Sequence, residues 1–164
     1  MDDPYVLELV VTEEGTPFYP PVGTVELRTD ENAGYDLKIV KDISPADTAF
    51  LAPLGVRARL VKKGKYYVGC PSGVAEFHFT LEPRSSIYKT GFLMANSRGI
   101  IDRSYRGELK APVISVGTAK PVEAGTRLFQ ILAPGLGWIR EVHYVSSLPE
   151  TVRGEGGFGS TGTK

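Results

Sequence analysis

The chain of 164 residues carries one cysteine, Cys70, and two histidines, His78 and His143. A single thiol closes no internal disulfide, so the fold must be held by its core, as suits a reducing compartment. So few Cys and His side chains leave a structural zinc centre short of ligands. The H-x-E and P-C-x-x-C pattern of the zinc deaminases is absent. Any metal is therefore expected to be a hard ion held by oxygen, in company with a substrate. Nineteen basic residues balance nineteen acidic ones. That balance points away from nucleic acid and from a polybasic membrane patch, and leaves room only for a local basic pocket. No apolar run approaches the roughly 20 residues of a membrane span. The opening MDDPYVLELVV is acidic and without a signal-peptide pattern, so a cytoplasmic or nuclear, intracellular setting is expected. Internal repeats and long helical periodicity are missing too.

What the sequence does have is short alternation. In GVRARLV, Val56, Ala58 and Leu60 fall on one face and Arg57 and Arg59 on the other. In AEFHFTL, Ala75, Phe77, Phe79 and Leu81 alternate with Glu76, His78 and Thr80. YVLELVV, YDLKIV, LKAPVISV, RLFQILA and IREVHYV complete the strand candidates. Nineteen glycines and 12 prolines fall mostly between these runs, where turns need them. The pattern predicts an all-β sandwich, jelly roll or barrel, with one helical turn after Pro83 at RSSIYK. Beyond Leu148-Pro149 the apolar pattern stops. Residues 1–149 are expected to form one β domain and residues 150–164 a flexible Gly-rich arm.

Five stretches carry chemistry. In the arm, RGEGGFGSTGTK, glycine-rich backbone can turn successive N–H groups toward a phosphate. The spacing of Gly154 and Gly159 imitates a phosphate-binding loop, but the lysine and the flanking strand and helix are wanting. A disordered polar tail explains the glycines equally. Arg153, a fork for a phosphate, and Phe158, a lone ring suited to stacking on a base, favour binding. In NSRGIIDRSYRGEL, expected to cross a tight hairpin, Asp102 is either a proton acceptor or a turn cap. Tyr105 either packs or offers a flat surface to a sugar. In EPRSSIY, Arg84, Ser85 and Ser86 are either an anion site or a helix cap. Asp36 in NAGYDL and Gln130 in GTRLFQIL are each compatible with ordinary turn or strand roles. His78 is expected on a solvent face, Lys62-Lys63-Gly64-Lys65 in a solvated turn, and Trp138 and Cys70 in packing.

Taken in order, AGYDL (33–37), PRSS (83–86), GIIDRSYRGE (99–108), GTRLFQI (125–131) and RGEGGFGSTG (153–162) resemble the trimeric dUTPase family. The resemblance spans nearly the whole chain. It implies a jelly-roll-like β subunit assembled as a homotrimer, with active sites where subunits meet and each arm closing a neighbour's site. The implied reaction is hydrolysis of dUTP to dUMP and pyrophosphate, keeping uracil out of DNA and supplying dUMP for thymidylate synthesis. The implied cofactor is Mg2+, chelated mainly by the triphosphate and reached by Asp36 through water. Asp102 would activate the attacking water. Ser85, Ser86, Arg84 and Gln130 would hold phosphates. The hairpin from Phe92 to Ile101, with Asn96, Gly99, Ile100 and Ile101, would read uracil, and Lys110 would stand among the substrate contacts. Tyr105 would pack on the deoxyribose and exclude a 2′-hydroxyl. Phe158 would stack on uracil, and Arg153 with Gly159, Ser160 and Thr161 would hold the terminal phosphate.

Three departures individualise the chain. Phe129 stands where the fourth motif typically has a small residue. The segment from Lys38 to Glu82 is long, with extra surface chain expected at KKGKYYVGCPSG. APGLGWIREVHYV between the last two motifs has no counterpart role. Two rival readings share parts of the pattern. A dCTP deaminase relative is compatible with PRSS, but the Asp102–Tyr105 pairing and the Phe158 arm favour dUTPase. A nucleotide-binding β protein without turnover is the other, against which Asp102 and the arm both speak.

Overall fold

The computed structural model describes residues 3–64 and 73–158. Strands dominate, and the helical content of these residues is limited to two short 3-10 turns, Ser85–Thr90 and Pro134–Leu136. The first lies where the turn after Pro83 is expected. The expected all-β class is therefore what the chain adopts.

Three sheets carry the fold. Strands β1 (Tyr5–Val11), β2 (Val25–Leu27), β5 (Val56–Lys63), β6 (Val74–Phe77) and β12 (Ile139–Tyr144) form one, in the order β2-β12-β1-β5-β6. Its β1–β12 pair is parallel, the rest antiparallel. Strands β4 (Phe50–Pro53), β8 (Phe92–Met94) and β10 (Lys110–Ser115) form a second, in the order β4-β10-β8. Strands β3 (Tyr35–Lys38), β7 (Phe79–Pro83), β9 (Gly99–Ile101) and β11 (Arg127–Leu132) form the third, in the order β3-β11-β7-β9. Inward-facing aliphatic and aromatic side chains from all three close a single core, with Leu7, Leu9, Leu37, Leu54, Leu60, Phe92, Phe129 and Ile131 almost wholly buried.

The period-two readings explain which faces go inside. Val56, Ala58 and Leu60 are buried while Arg57 is exposed. AEFHFTL is not one strand. Residues 74–77 pair with β5 and residues 79–83 with β11 and β9, so the chain changes sheets at His78. Phe77 accordingly leaves the full burial that Phe79 and Leu81 have and stacks edge-on against Tyr5. Lys62 and Lys63 belong to β5, paired with Ala75 and Val74, instead of opening a turn; strand pairing extends further than the charges suggest. Residues 65–72, which hold Lys65, Cys70 and most of the long insertion, lie outside the described residues. Trp138 is 38% exposed, not packed away; its indole N–H donates to the Arg28 carbonyl.

The stretch from Phe92 to Ile101 is not a hydrogen-bonded hairpin either. β8 pairs with β10 and β9 pairs with β7, and the turn between them, held by Ser97 N–H donating to Met94 O, carries the chain from one sheet to another. The large ring of Phe129 is fully buried within its own chain. Truncation to Phe129→Ala should therefore lower stability by about 3–5 kcal/mol, seen as an earlier urea unfolding midpoint with an unchanged slope.

Candidate active site

Side chains singled out in the sequence gather in two separate places. The first is a cleft of about 800 Å3 lined by Gly34, Asp36, Arg84, Ser85, Arg127 and Gln130, among others. β3 and β11 build it: Gln130 lies opposite Asp36 in the antiparallel ladder, and the turn after β7 brings Arg84 and Ser85 alongside. Arg84 Nε stands in an ion pair with Asp36 Oδ1 at 3.1 Å. It also stands as the N-cap of the 3-10 turn, with no side-chain capping bond, so the capping role considered for the serines is not theirs. Ser85 is exposed on the cleft and Ser86 is half-buried beside it. Gln130 donates to the Pro83 carbonyl at 3.2 Å. A Cβ on Gly34 would sit 1.9 Å from the Gln130 amide oxygen, so the glycine of AGYDL makes room for that side chain.

The far wall of the cleft was not legible in the sequence. Tyr35 donates to Glu26 and is hydrogen-bonded to Tyr144. Burial pushes Tyr144 up to about 12 and Tyr35 higher still, so both hydroxyls keep their protons at neutral pH. Tyr19, half-buried in the same lining, donates to the Leu54 carbonyl at 2.6 Å.

The second place is a pocket of about 210 Å3 at the opposite edge of the same sheet. Asn96, Gly99, Ile100, Ile101, Asp102, Tyr105, Lys110, Arg153 and Phe158 all line it. It shares no lining residue with the cleft. Asp102 follows β9 directly, with its carboxylate half-exposed. Tyr105 N–H donates to Asp102 O, closing the turn, and the Tyr105 hydroxyl donates to Glu108 O at 2.9 Å. That bond and partial burial fix the ring. Burial, reinforced by nearby Glu155, raises the Tyr105 hydroxyl above the usual phenol range.

The arm is fastened over residues 149–158, where the glycine content alone predicts a free tail. Arg106, 7% exposed, donates through Nε to Pro149 O and through its backbone N–H to Gly154 O. Thr151 donates to Ser104 O and accepts from Gly154 N–H. Glu155 pairs with Arg57 at 2.8 Å. Arg153 is paired with Asp102 and lies over the Tyr105 ring, 5.5 Å from its centroid. Gly157 approaches the same ring so closely that a Cβ would stand 3.0 Å from it. These contacts are described within a single chain. Gly159, Ser160 and Thr161 lie outside the described residues.

With this geometry, the dUTPase family model matches residues 22–162. The chain belongs to the dUTPase family. Among curated relatives, the deoxyuridine 5'-triphosphate nucleotidohydrolase of Maricaulis maris is 38% identical over 139 residues, which cover 83% of this chain and 85% of that protein. The one from Wolinella succinogenes is 38% identical over 132 residues, 79% of this chain and 80% of that one. The one from Escherichia phage T5 is 33% identical over 141 residues, 85% and 91%. Among solved structures, native EIAV dUTPase aligns at 19% identity with a TM-score of 0.47, covering 88% of this chain and 93% of that one.

In this dUTPase, two residues near the pocket went unremarked for function in the sequence, Arg106 and His78. Arg106 is enclosed by Glu76 at 3.0 Å, which also holds Arg59. Only the fold brings these together. If Thr151 fastens the arm's root, Thr151→Val should leave the β domain intact while the Gly154 amide loses about ten-fold in hydrogen-exchange protection.

Proposed function

We propose that this dUTPase hydrolyses dUTP to dUMP and pyrophosphate at sites assembled from the pocket of one subunit and the cleft of another, in a homotrimer. The observation that carries the reading is the division just described. Residues expected to meet base and sugar line the pocket with Asp102, those expected to meet phosphate line the cleft with Asp36, Arg153 of the arm excepted, and one chain keeps the two apart. A cyclic assembly of identical chains can bring one chain's pocket to the next chain's cleft, three times over.

In the pocket, the backbone of residues 96–101 with Asn96 would read the uracil edge, rejecting cytosine because its donors and acceptors are reversed. Tyr105, locked by its bond to Glu108, offers a ring face to deoxyribose with no space for a 2′-hydroxyl. Phe158 would cover the base, and Lys110 lies within the same lining. Asp102 takes a proton from the water that attacks the α-phosphorus. The P–O bond to the departing pyrophosphate breaks, and dUMP remains. Arg153 would leave Asp102 for the terminal phosphate, joined by Gly159, Ser160 and Thr161. Subunits being identical, these contacts are the same whether an arm serves its own chain or is exchanged to a neighbour.

In the cleft, Arg84, Ser85, Ser86 and Gln130 would hold phosphate oxygens. Among the described residues no group of three or more His, Cys, Asp or Glu side chains stands together to grip a metal. Asp36 among hydroxyl and amide groups suits an ion whose other ligands are phosphate oxygens and water, which is the habit of Mg2+. Asp36 would hold that ion through water, and the ion would supply neutralisation of phosphate charge. No helix among the described residues is long and apolar enough to cross a membrane.

Pyrophosphate release from dUTP, dCTP and dTTP, measured side by side with Mg2+, tests the reading; release from dUTP alone is expected, and equal release from dCTP would contradict it. Asp102→Asn keeps the shape and loses the base. Its turnover should fall by roughly 10²–10⁴-fold while affinity for a nonhydrolysable dUTP analogue stays within a few-fold. Gly34→Ala should displace Gln130 from the cleft, weakening analogue binding by about ten-fold with stability altered by under about 1 kcal/mol.

A further inference from the structure

Asp102 stands at the end of a ladder that stops short. β7 and β9 pair through Phe79↔Ile101, Thr80↔Ile100 and Leu81↔Gly99. Continued by one step, the ladder would set His78 against Asp102, and by two, Phe77 against Arg103. Phe77 is not available, because it is the last residue of β6 and pairs with Leu60 of β5 in the other sheet. The Arg103 N–H is left without a strand to donate to. The His78 side chain takes the place of the missing strand: its Nδ1 accepts the Arg103 N–H at 2.9 Å. The same Nδ1 stands 3.8 Å from Asp102 Oδ1, while the other carboxylate oxygen is engaged by Arg153.

We infer that His78 is a positioning residue for Asp102, pinning the backbone immediately after it so that the carboxylate keeps its direction into the pocket. This rests on the dUTP-hydrolysing reading above. Accepting a backbone N–H requires a bare ring nitrogen, so the imidazole is the tautomer protonated on Nε2, which leaves that side free for solvent. His78 is 60% exposed. It fills no core space, and no burial argument explains its place. Among the described residues its ring is hydrogen-bonded to the Arg103 N–H. Its contribution is therefore directional. A carboxylate that must meet a bound water at hydrogen-bond distance is sensitive to displacement on the scale of 1 Å, which costs up to about 100-fold in turnover.

The test uses three variants of the full chain in dUTP hydrolysis. Asn places its amide oxygen near the position of Nδ1, whereas Gln reaches toward Nε2 and Ala removes both. His78→Ala and His78→Gln are expected to lose roughly ten-fold or more in kcat, with KM and the affinity for a nonhydrolysable dUTP analogue within two-fold of the wild type. His78→Asn should recover most of the lost turnover. Wild-type kcat in the alanine variant overturns the inference. So does a glutamine variant as active as the asparagine one, or a parallel loss of turnover and analogue affinity. If the alanine variant does not fold, the asparagine–glutamine comparison decides alone. A wild-type chain that releases no pyrophosphate from dUTP would instead remove the hydrolytic reading, and the inference with it.

Discussion

The order β3-β11-β7-β9 governs everything else in this molecule. Strand pairing puts Gln130 beside Asp36 at one edge and leads straight from Ile101 into Asp102 at the other. A nucleoside triphosphate needs its base, sugar and phosphates held at once. In the proposed reading, a sheet that separates the groups suited to these tasks calls for a second copy of the chain to complete the site. The cleft, at about 800 Å3, is the larger space and the pocket, at about 210 Å3, the smaller.

Electrostatics within the pocket follows from the same layout. Asp102 is half-exposed, with Arg153 on one carboxylate oxygen and His78 near the other. In the proposed reading the same arginine meets the terminal phosphate, and a bound triphosphate would draw it from Asp102 and leave the carboxylate facing water. Tyr105 is the floor on which Arg153 and Gly157 rest.

Much of this was legible before any coordinates. Alternation in GVRARLV gave the buried face of β5, and the motifs AGYDL, PRSS and GIIDRSYRGE contribute Asp36, Arg84, Ser85, Asp102 and Tyr105 to the two cavities, whereas Glu26, Arg28, Lys38 and Tyr144 of the cleft lie outside every motif. The change of sheet at His78 was not legible. AEFHFTL alternates without a break, and the interruption comes from which strand each half meets across the chain. The hairpin expected between Phe92 and Ile101 failed for the same reason: turn residues report a reversal, not which sheet receives each arm of it. The role of Arg106 was hidden because its partners, Glu76 and Pro149, lie 30 and 43 positions away. The contacts of Thr151 and Arg153 with the turn after β9 were not legible, because their partners, Ser104 and Asp102, lie 47 and 51 positions away.

The account stands or falls on whether pocket and cleft from different copies make one site. Co-expression of two chains, one carrying Asp102→Asn and the other Gln130→Ala with Asp36→Ala, tests this directly. Each alone should be nearly inactive. Random assortment in a cyclic assembly should join an intact pocket to an intact cleft in about a quarter of the sites, restoring about a quarter of wild-type dUTP hydrolysis. Mixed assemblies that form, as shown by two affinity tags on one particle, and yet recover no activity would mean that each chain works with its own cleft and pocket, and would contradict the account.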